Sequence, residues 1–335
     1  MKRYLLILIV FLLAPPLIGR TTVDLPDLAN PGQIIVDPGS KNLYIADGTT
    51  IYIYSLNDLK LKKKFGKSGE GPREFKRYAN LFLTSKHLLV NSVARVTYFT
   101  KEGDYIKEKN AKSANLGPFF PIGNNYVNTG MDRSEKVLKY SLNLYDQNLN
   151  KIKTIGFLSR NEQRGKKRIN ALDWGFPKFR IFNNRIYCEE LDNELLVFDI
   201  EGNKLFQWDI HSLIPGYEKV RVTDEYKNRF YKILKLQVRQ EYERVKKQLD
   251  FPTYFTIIKE YIIRDQNIFI LTFVRKGNKS EIHQFDLKGK FVRTFYQANL
   301  EQDAFTFYPF DIKDGKLYQL YDEDEDWTLI ITDLK

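Results

Sequence analysis

The chain has 335 residues, of which 43% are hydrophobic and 14% aromatic. This composition is sufficient for a packed core and excludes a predominantly disordered chain. The formal net charge of +11 favours anionic partners. Cys188 is the only cysteine, which excludes an internal disulfide, and its strand-like setting predicts a buried, unreactive thiol.

The N-terminus has the pattern of an export signal. Lys2–Arg3 precede an apolar run, Tyr4–Ile18, which Pro15–Pro16 interrupt. The run is shorter than the roughly 20 apolar residues that span a bilayer. Residues 1–19 are therefore predicted to be a signal peptide or, because no small-x-small cleavage site precedes Arg20, an N-terminal anchor. We expect an exported protein, periplasmic or secreted, that contacts a membrane only through an uncleaved N-terminus.

A unit of four short strands recurs along the rest of the chain. Its strands have alternating or continuous apolar character and are separated by Gly, Asn or Asp turns, as in a propeller blade of roughly 40 residues. The predicted blades are approximately residues 33–66, 79–109, 119–158, 176–210, 254–297 and 305–335.

The last unit shows only three strands, and an extended stretch, Thr21–Leu28, precedes the first unit. That stretch can supply the missing strand and close the ring, which removes open sheet edges. We therefore predict an all-β, six-bladed β-propeller over residues 20–335 whose N-terminal strand closes the last blade. Two separate β domains divided near Pro215 are the alternative.

A helical insertion is predicted at residues 215–250, between blades 4 and 5. Thr223 can cap the helix, and Pro252 lies just beyond its end. Its basic residues indicate a flap over the propeller mouth or a docking surface, or else simply a solvated face. Apolar residues recur at steps of three or four, as on one face of an amphipathic helix: Tyr226, Phe230, Leu234, Val238, Tyr242, Val245 and Leu249.

The segment Phe65–Phe75, with the sequence FGKSGEGPREF, resembles the inter-blade motif of the NHL-type six-bladed β-propellers, especially their exported bacterial group. Leu249–Phe255 is similar to the Phe-Pro-x-Tyr start of a late blade in that group. The resemblance implies a propeller that binds a ligand or a partner molecule, since the family ranges from protein and RNA binders to lyases. Glycines also permit a tight crossing between blades, so a structural role is predicted for Gly66, Gly69, Gly71, Pro72 and Phe75.

Binding is predicted on the face that carries the connections between blades and the turns between second and third strands. Three basic segments converge there: residues 67–77, 159–170 and the insertion. The partner is expected to be an acidic polysaccharide, another anionic envelope component or an acidic protein, and not nucleic acid. Arginine pairs well with carboxylate and phosphate, and the candidate binding residues are Arg73, Arg95, Arg133, Arg164, Lys167, Arg168 and Arg275.

A catalytic function is the alternative, and it would place a metal in the central channel. The three histidines, His87, His211 and His283, lie in different units without ligand spacing, which argues against a zinc lyase. A calcium-dependent lactonase or lyase would need only Glu, Asn and Asp. Turn residues supply these groups, although ordinary turn chemistry also explains them: Asp47, Asn91, Asp132, Glu190 and Asp192.

The acidic run at residues 322–326 is a weaker metal candidate, through Asp322, Asp324 and Asp326. It lacks the alternating ligands and the glycine of an EF-hand loop, which favours a solvated turn. No cofactor is predicted other than calcium under the catalytic alternative. The preferred interpretation is a binding module with no catalytic residues.

Overall fold

The computed structural model describes residues 20–111, 117–132, 139–158, 169–173, 178–190, 193–277, 279–298, 300, 307–323 and 326–334. The predicted signal at residues 1–19 lies outside the described residues, as do Arg133, Arg164, Lys167, Arg168, Asp192, Asp324 and the side chain of Asp132. In the described part of the chain, no helix is both long and apolar enough to cross a bilayer.

Within these residues the chain forms six four-stranded antiparallel sheets, whose innermost strands lie side by side around a ring. This arrangement confirms the predicted six-bladed β-propeller. Blade 1 contains β2 (Pro31–Asp37), β3 (Asn42–Asp47), β4 (Thr50–Ser55) and β5 (Leu61–Phe65). Blade 2 contains β6 (Asn80–Leu83), β7 (Leu88–Ser92), β8 (Arg95–Phe99) and β9 (Tyr105–Asn110). Blade 3 contains β10 (Phe120–Ile122), β11 (Asn125–Asp132), β12 (Lys139–Tyr145) and β13 (Lys151–Leu158).

Blades 4 to 6 complete the ring and include the N-terminal strand. Blade 4 contains β15 (Phe179–Phe182), β16 (Arg185–Glu189), β17 (Glu194–Phe198) and β18 (Lys204–Asp209). Blade 5 contains β20 (Glu260–Arg264), β21 (Asn267–Lys276), β22 (Lys279–Asp286) and β23 (Phe291–Ala298). Blade 6 contains β24 (Phe310–Lys313), β25 (Lys316–Glu323), β26 (Asp326–Asp333) and β1 (Arg20–Asp24). The remaining elements are β14 (Ile169–Asn170), α1 (Ile210–Leu213), α2 (Asp224–Val238), α3 (Tyr242–Lys246) and β19 (Leu249–Asp250).

The ring closes as the sequence predicts. Strand β1 pairs antiparallel with β26, from Arg20 opposite Thr332 to Asp24 opposite Thr328. The N–H of Leu25 continues the pairing by donating to the carbonyl of Trp327 at 2.7 Å. Blade 6 is thus built from both ends of the described chain.

Most of the core lies between neighbouring blades. Along β3, Leu43 and Ile45 pack toward blade 6, whereas Tyr44 and Ala46 pack toward blade 2. Both faces of the middle strands are therefore buried, which explains why these strands have continuous apolar sequences. Cys188 is fully buried in the cluster between blades 3 and 4, and burial raises the pKa of its thiol, as expected of an unreactive cysteine.

The turns between third and fourth strands share one hydrogen-bonding pattern. In three blades an aspartate Oδ1 accepts the N–H groups two and four residues later, at Asp146, Asp199 and Asp286. The glycine of such a turn lies against the preceding blade. A Cβ added to Gly202, which has φ of +91°, would lie 2.5 Å from the carbonyl oxygen of Ile155.

The insertion between blades 4 and 5 is helical, as predicted. The Thr223 hydroxyl caps α2 by accepting the N–H of Tyr226 at 3.1 Å. The predicted apolar face forms a single cluster, with Phe230, Leu234, Val245 and Leu249 buried and Tyr226, Val238 and Tyr242 packed around them.

The helix is not continuous, however. Arg239 has φ of 43° and begins a 3₁₀ turn, Arg239–Glu241, between α2 and α3. Each step of four residues overshoots a 3.6-residue turn by about 40°, so a straight helix would rotate Tyr242 and Val245 away from the cluster. The interruption brings them back to it.

One face of the ring, here called the upper face, carries the inter-blade connections and the turns between second and third strands. The two kinds of segment are hydrogen-bonded to each other: the N–H of Ala79 donates to Gly48 at 2.9 Å, and that of Ala111 to Ala94 at 2.7 Å. The insertion follows the outermost strand of blade 4 and precedes the innermost strand of blade 5. It therefore belongs to the upper face.

Candidate functional site

The innermost strands of blades 4, 5 and 6 are joined by ion pairs around the central channel. Glu260 on β20 lies 2.7 Å from the guanidinium of Arg180 on β15. Arg264 on β20 donates to Asp311 on β24, also at 2.7 Å. Burial alone would raise the pKa of Glu260, but Lys178 and Arg180 hold it below its usual value.

The ion pairs of Glu260 and Asp311 involve carboxylates that a metal in the central channel would otherwise use. Asp311 also accepts the N–H of Val36 at 3.0 Å, so its two oxygens serve a cation and a backbone donor. Among the described residues, no group of three or more His, Cys, Asp or Glu side chains is placed to hold a metal ion. The described channel carboxylates therefore connect blades.

The turn residues considered as calcium ligands also make structural contacts. The two Asp47 oxygens accept the N–H groups of Ala29 and Asn30 at 2.9 and 2.7 Å. Asn91 Oδ1 accepts the N–H of Phe119 at 2.9 Å. Both side chains thus hold an inter-blade connection against a turn.

The other metal candidates in the described residues lie apart from the channel strands. Glu190 closes a turn by donating its backbone N–H to the Glu194 carbonyl at 2.8 Å. Asp322 and Asp326 lie at the end of the β25–β26 hairpin, where Asp322 is paired with Trp327. These positions are consistent with ordinary turn chemistry.

Four basic residues converge at the upper mouth of the channel, and we call them the mouth cluster: Lys178, Arg229, Lys259 and Arg275. Lys178 and Lys259 immediately precede the innermost strands β15 and β20. Arg275 lies near the end of β21, and Arg229 lies on α2. Two blades and the insertion therefore contribute to one concentration of positive charge.

Lys259 is the deepest member, with only 7% of its surface exposed. Its Nζ lies 4.7 Å from the ring centroid of Phe273 and 5.6 Å from that of Phe307. The Nζ of Lys178 lies 5.9 Å from the same Phe307 ring and donates to the Lys259 carbonyl. Two lysine side chains thus approach one aromatic ring.

The electrostatic cost of this arrangement falls on Lys259. Burial, followed by the charges of Arg275, Arg229 and Lys178, lowers the pKa of its amine to about 6. Burial and Arg229 also lower the pKa of Arg275, while Glu225 partly offsets them. Like charges held together in a partly desolvated place favour either loss of a proton or the arrival of an anion.

An aromatic wall positions α2 beside the cluster. Phe255 and Phe273 stack with their ring centroids 4.0 Å apart and an interplanar angle of 10°. Tyr226 on α2 meets Phe255 edge-on at 4.7 Å. These contacts fix the first turn of α2 against blade 5, and Arg229 lies one turn further along the helix.

No family model and no curated protein matches the chain, so the NHL-type resemblance stays a prediction. Among solved structures, the chain is similar to the Pan2 WD40 domain of Neurospora crassa, with 10% identity, a TM-score of 0.47 and coverage of 93% of this chain and 95% of that chain. It is also similar to BamB from Moraxella catarrhalis, with 8% identity, a TM-score of 0.31 and coverage of 89% and 71%. Identities and TM-scores this low do not indicate a function, so the function is inferred from the side chains of this chain.

The predicted binding residues occupy different environments. Arg275 belongs to the mouth cluster. The guanidinium of Arg95 donates to the carbonyls of Glu70, Gly71 and Glu74 at 2.8 to 3.3 Å, which ties β8 to the first inter-blade connection.

Arg73 is exposed, and its guanidinium lies 5.4 Å from the Tyr105 ring centroid. Because Tyr105 belongs to β9, the outermost strand of blade 2, Arg73 lies at the periphery of the propeller. The described arginines therefore do not form a single site.

The glycine-rich motif forms a compact inter-blade crossing. Gly66 has φ of +89°, and a Cβ there would lie 2.6 Å from the Thr49 carbonyl oxygen. The N–H of Gly71 donates to Glu74 Oε2 at 2.8 Å, and Phe75 is completely buried between blades 1 and 2. This geometry agrees with a structural motif.

Sequence reasoning missed Lys178 and Lys259, and it noted Arg229 only as part of a basic helix. A signal for the two lysines was present, because each is the residue before the innermost strand of its blade. Equivalent positions in adjacent blades are neighbours at the channel mouth.

Proposed function

We propose that the protein is an exported interaction module that binds an anionic partner through its upper face, with the mouth cluster at the centre of the contact. The observation that carries the proposal is the convergence of Lys178, Arg229, Lys259 and Arg275 from three parts of the chain. The export pattern of residues 1–19 supports a partner outside the cytoplasm.

The physical argument is one of charge complementarity. The mouth cluster concentrates basic side chains beside half-buried aromatic rings, and an anionic group complements that positive charge when it binds. The net charge of +11 also raises the encounter rate with polyanions at low salt. Ammonium and guanidinium groups recognise carboxylate or phosphate oxygens, so an acidic polysaccharide and an acidic polypeptide offer equivalent ligands.

The proposal is tested with fluorescently labelled alginate and poly-L-glutamate, titrated with the mature protein over a range of NaCl concentrations. Reversing two charges, Arg229→Glu with Arg275→Glu, is expected to weaken binding by about tenfold or more and to flatten its salt dependence. The matched control, Lys151→Glu with Lys290→Glu, makes the same change in net charge on exposed residues beside turns of the opposite face, where Lys151 begins β13 and Lys290 precedes β23.

The control variant should retain nearly wild-type affinity. Equal losses in the two double variants would show that net charge, and not this site, governs binding. No binding of either polyanion by the wild-type protein at low salt would overturn the proposal itself.

A further inference from the structure

We infer that the outer side of α2 recognises an acidic polypeptide in which an apolar side chain lies beside aspartate or glutamate residues. The recognition surface, which we call the α2 patch, consists of Arg229, Lys232 and Leu236. This inference rests on the proposed function and narrows the anionic partner to a protein segment.

The exposure of Leu236 is the first argument. Leu236 is 71% exposed, more than any other large apolar side chain in the described part of the chain, and Ile152 follows with 52%. Isolated apolar side chains are common on protein surfaces, so exposure alone does not indicate a partner. The residues that surround Leu236 on the helix supply the second observation.

Helix geometry places basic residues beside Leu236. Lys232 precedes Leu236 by four residues and Arg229 precedes it by seven, so the three side chains lie within about 60° of one another around the helix axis. Residues four apart are neighbours on the surface of a helix. The α2 patch is therefore a stripe that begins at Arg229, in the mouth cluster, and continues along the helix to an exposed leucine.

The charge of Lys232 is available to a partner. The ion pairs described in the helical insertion join Lys227 to Asp224 at 2.8 Å and Arg244 to Glu241 at 2.5 Å. Within the residues that the structure describes, no carboxylate is paired with Lys232, whose side chain is exposed. A carboxylate of the partner can pair with this ammonium group while a neighbouring side chain covers Leu236.

The α2 patch is held in place before a partner arrives. On the opposite side of the helix, Phe230 and Leu234 are buried in one cluster with residues of α3 and β19. The Thr223 cap fixes the start of the helix. A surface that is already ordered loses little conformational entropy on binding.

The same packing argues against a lipid bilayer as the partner. A helix that lies in a membrane interface inserts its apolar side, and in α2 that side is occupied by the cluster of Phe230 and Leu234. An acidic polysaccharide offers carboxylates but no aliphatic side chain to cover Leu236. A polypeptide supplies both kinds of group from one segment.

The test compares two fluorescein-labelled peptides of equal length and charge. Both are glutamate sequences, with leucine at every fourth position in one and serine at the same positions in the other. The wild-type protein is expected to bind the leucine peptide about tenfold more tightly in fluorescence anisotropy, because contact removes the Leu236 side chain from water. Alginate and vesicles of anionic phosphatidylglycerol are titrated in parallel to probe the other classes of partner.

Three variants locate the contact. Leu236→Gln keeps a strong helix former at this position, and it should abolish the preference for the leucine peptide while affinity for the serine peptide stays nearly unchanged. Lys232→Glu should weaken the binding of both peptides severalfold. The matched control, Ile152→Gln, changes the next most exposed apolar side chain, on the outermost strand of blade 3, and it should bind both peptides as the wild type does.

Equal affinity of the wild type for the two peptides, or a preference that survives Leu236→Gln, would overturn the inference. Binding of vesicles or alginate that depends on Leu236 would also overturn it. The proposed function would survive each of these results if poly-L-glutamate or alginate binding still depended on Arg229 and Arg275. Failure of the wild type to bind any of the anionic probes at low salt would reject both.

Discussion

Lys259 is held in an environment that opposes its own charge. Its side chain is buried, and the positive charges of Arg275, Arg229 and Lys178 lower the pKa of its amine further. Since the unfolded chain would titrate near the ordinary value of 10.5 and the folded chain near 6, the unfolded state binds an extra proton between these values. This lysine therefore destabilises the fold fully below about pH 6, and the penalty disappears as the pH rises toward 10.5.

Replacing Lys259 by methionine should consequently stabilise the protein. The methionine fills a similar volume without a charge, so a gain on the order of a few kcal/mol is expected near pH 6, shrinking steadily toward about pH 10. Urea unfolding of both proteins across this pH range measures the difference. A gain that is independent of pH, or a loss of stability at the acidic end of the range, would contradict the low pKa of Lys259.

The sequence predicted Arg275 as a binding residue but did not single out the other three residues of the mouth cluster. Basic loops can be recognised from composition, so Arg73, Arg95 and Arg275 were all selected. Their separation could not be predicted, because it depends on which carbonyls and rings each guanidinium finds across a blade interface. The importance of Lys178 and Lys259 arises only when adjacent blades bring their inner strands together.

The repeated turns show how an element is specified by a few residues. An aspartate at the start of the turn accepts two N–H groups, and a glycine with positive φ allows the turn to approach the preceding blade. The sequence predicted the recurrence of these turns. It did not indicate that the glycine of one blade contacts the backbone of another.

That contact predicts unequal costs for two glycine substitutions. Gly202→Ala places a methyl group 2.5 Å from the Ile155 carbonyl oxygen, whereas a methyl group at Gly48, which has φ of +57°, would have no neighbour within 4 Å. Gly48→Ala should cost about 1 kcal/mol for its backbone conformation, and Gly202→Ala about 3 kcal/mol or more because strain and overpacking add. Chemical unfolding midpoints measure both, and equal losses would show that the approach between blades is not tight.

The helical insertion was predicted from its apolar period and its cap, and the packed face is the predicted one. The interruption at Arg239 was not predicted, because neither glycine nor proline marks it. The interruption keeps the apolar residues, which recur about every four positions, in contact with a single cluster. Packing of the apolar face is therefore favoured over a continuous helix. The same packing places Arg229 beside blade 5.

At the scale of the whole molecule, the ring and its closure were predictable from sequence, because six repeats and one spare strand leave few other arrangements. The distribution of charge around the ring was not. Blades 4 to 6 join their inner strands through ion pairs, whereas blades 2 to 4 use contacts between Phe82, Phe120 and Phe179. The mouth cluster lies on the ionic half of the ring, where the insertion also packs.

The central claim is that an anionic partner docks at this mouth, and hydrogen–deuterium exchange with and without poly-L-glutamate tests it most directly. Slower exchange is expected in α2 and at residues 253–260 and 273–276, which carry Arg229, Lys259, Arg275 and the aromatic wall. Slower exchange confined to residues 66–79, beside Arg73 and Arg95, or no change anywhere on the upper face, would contradict the claim.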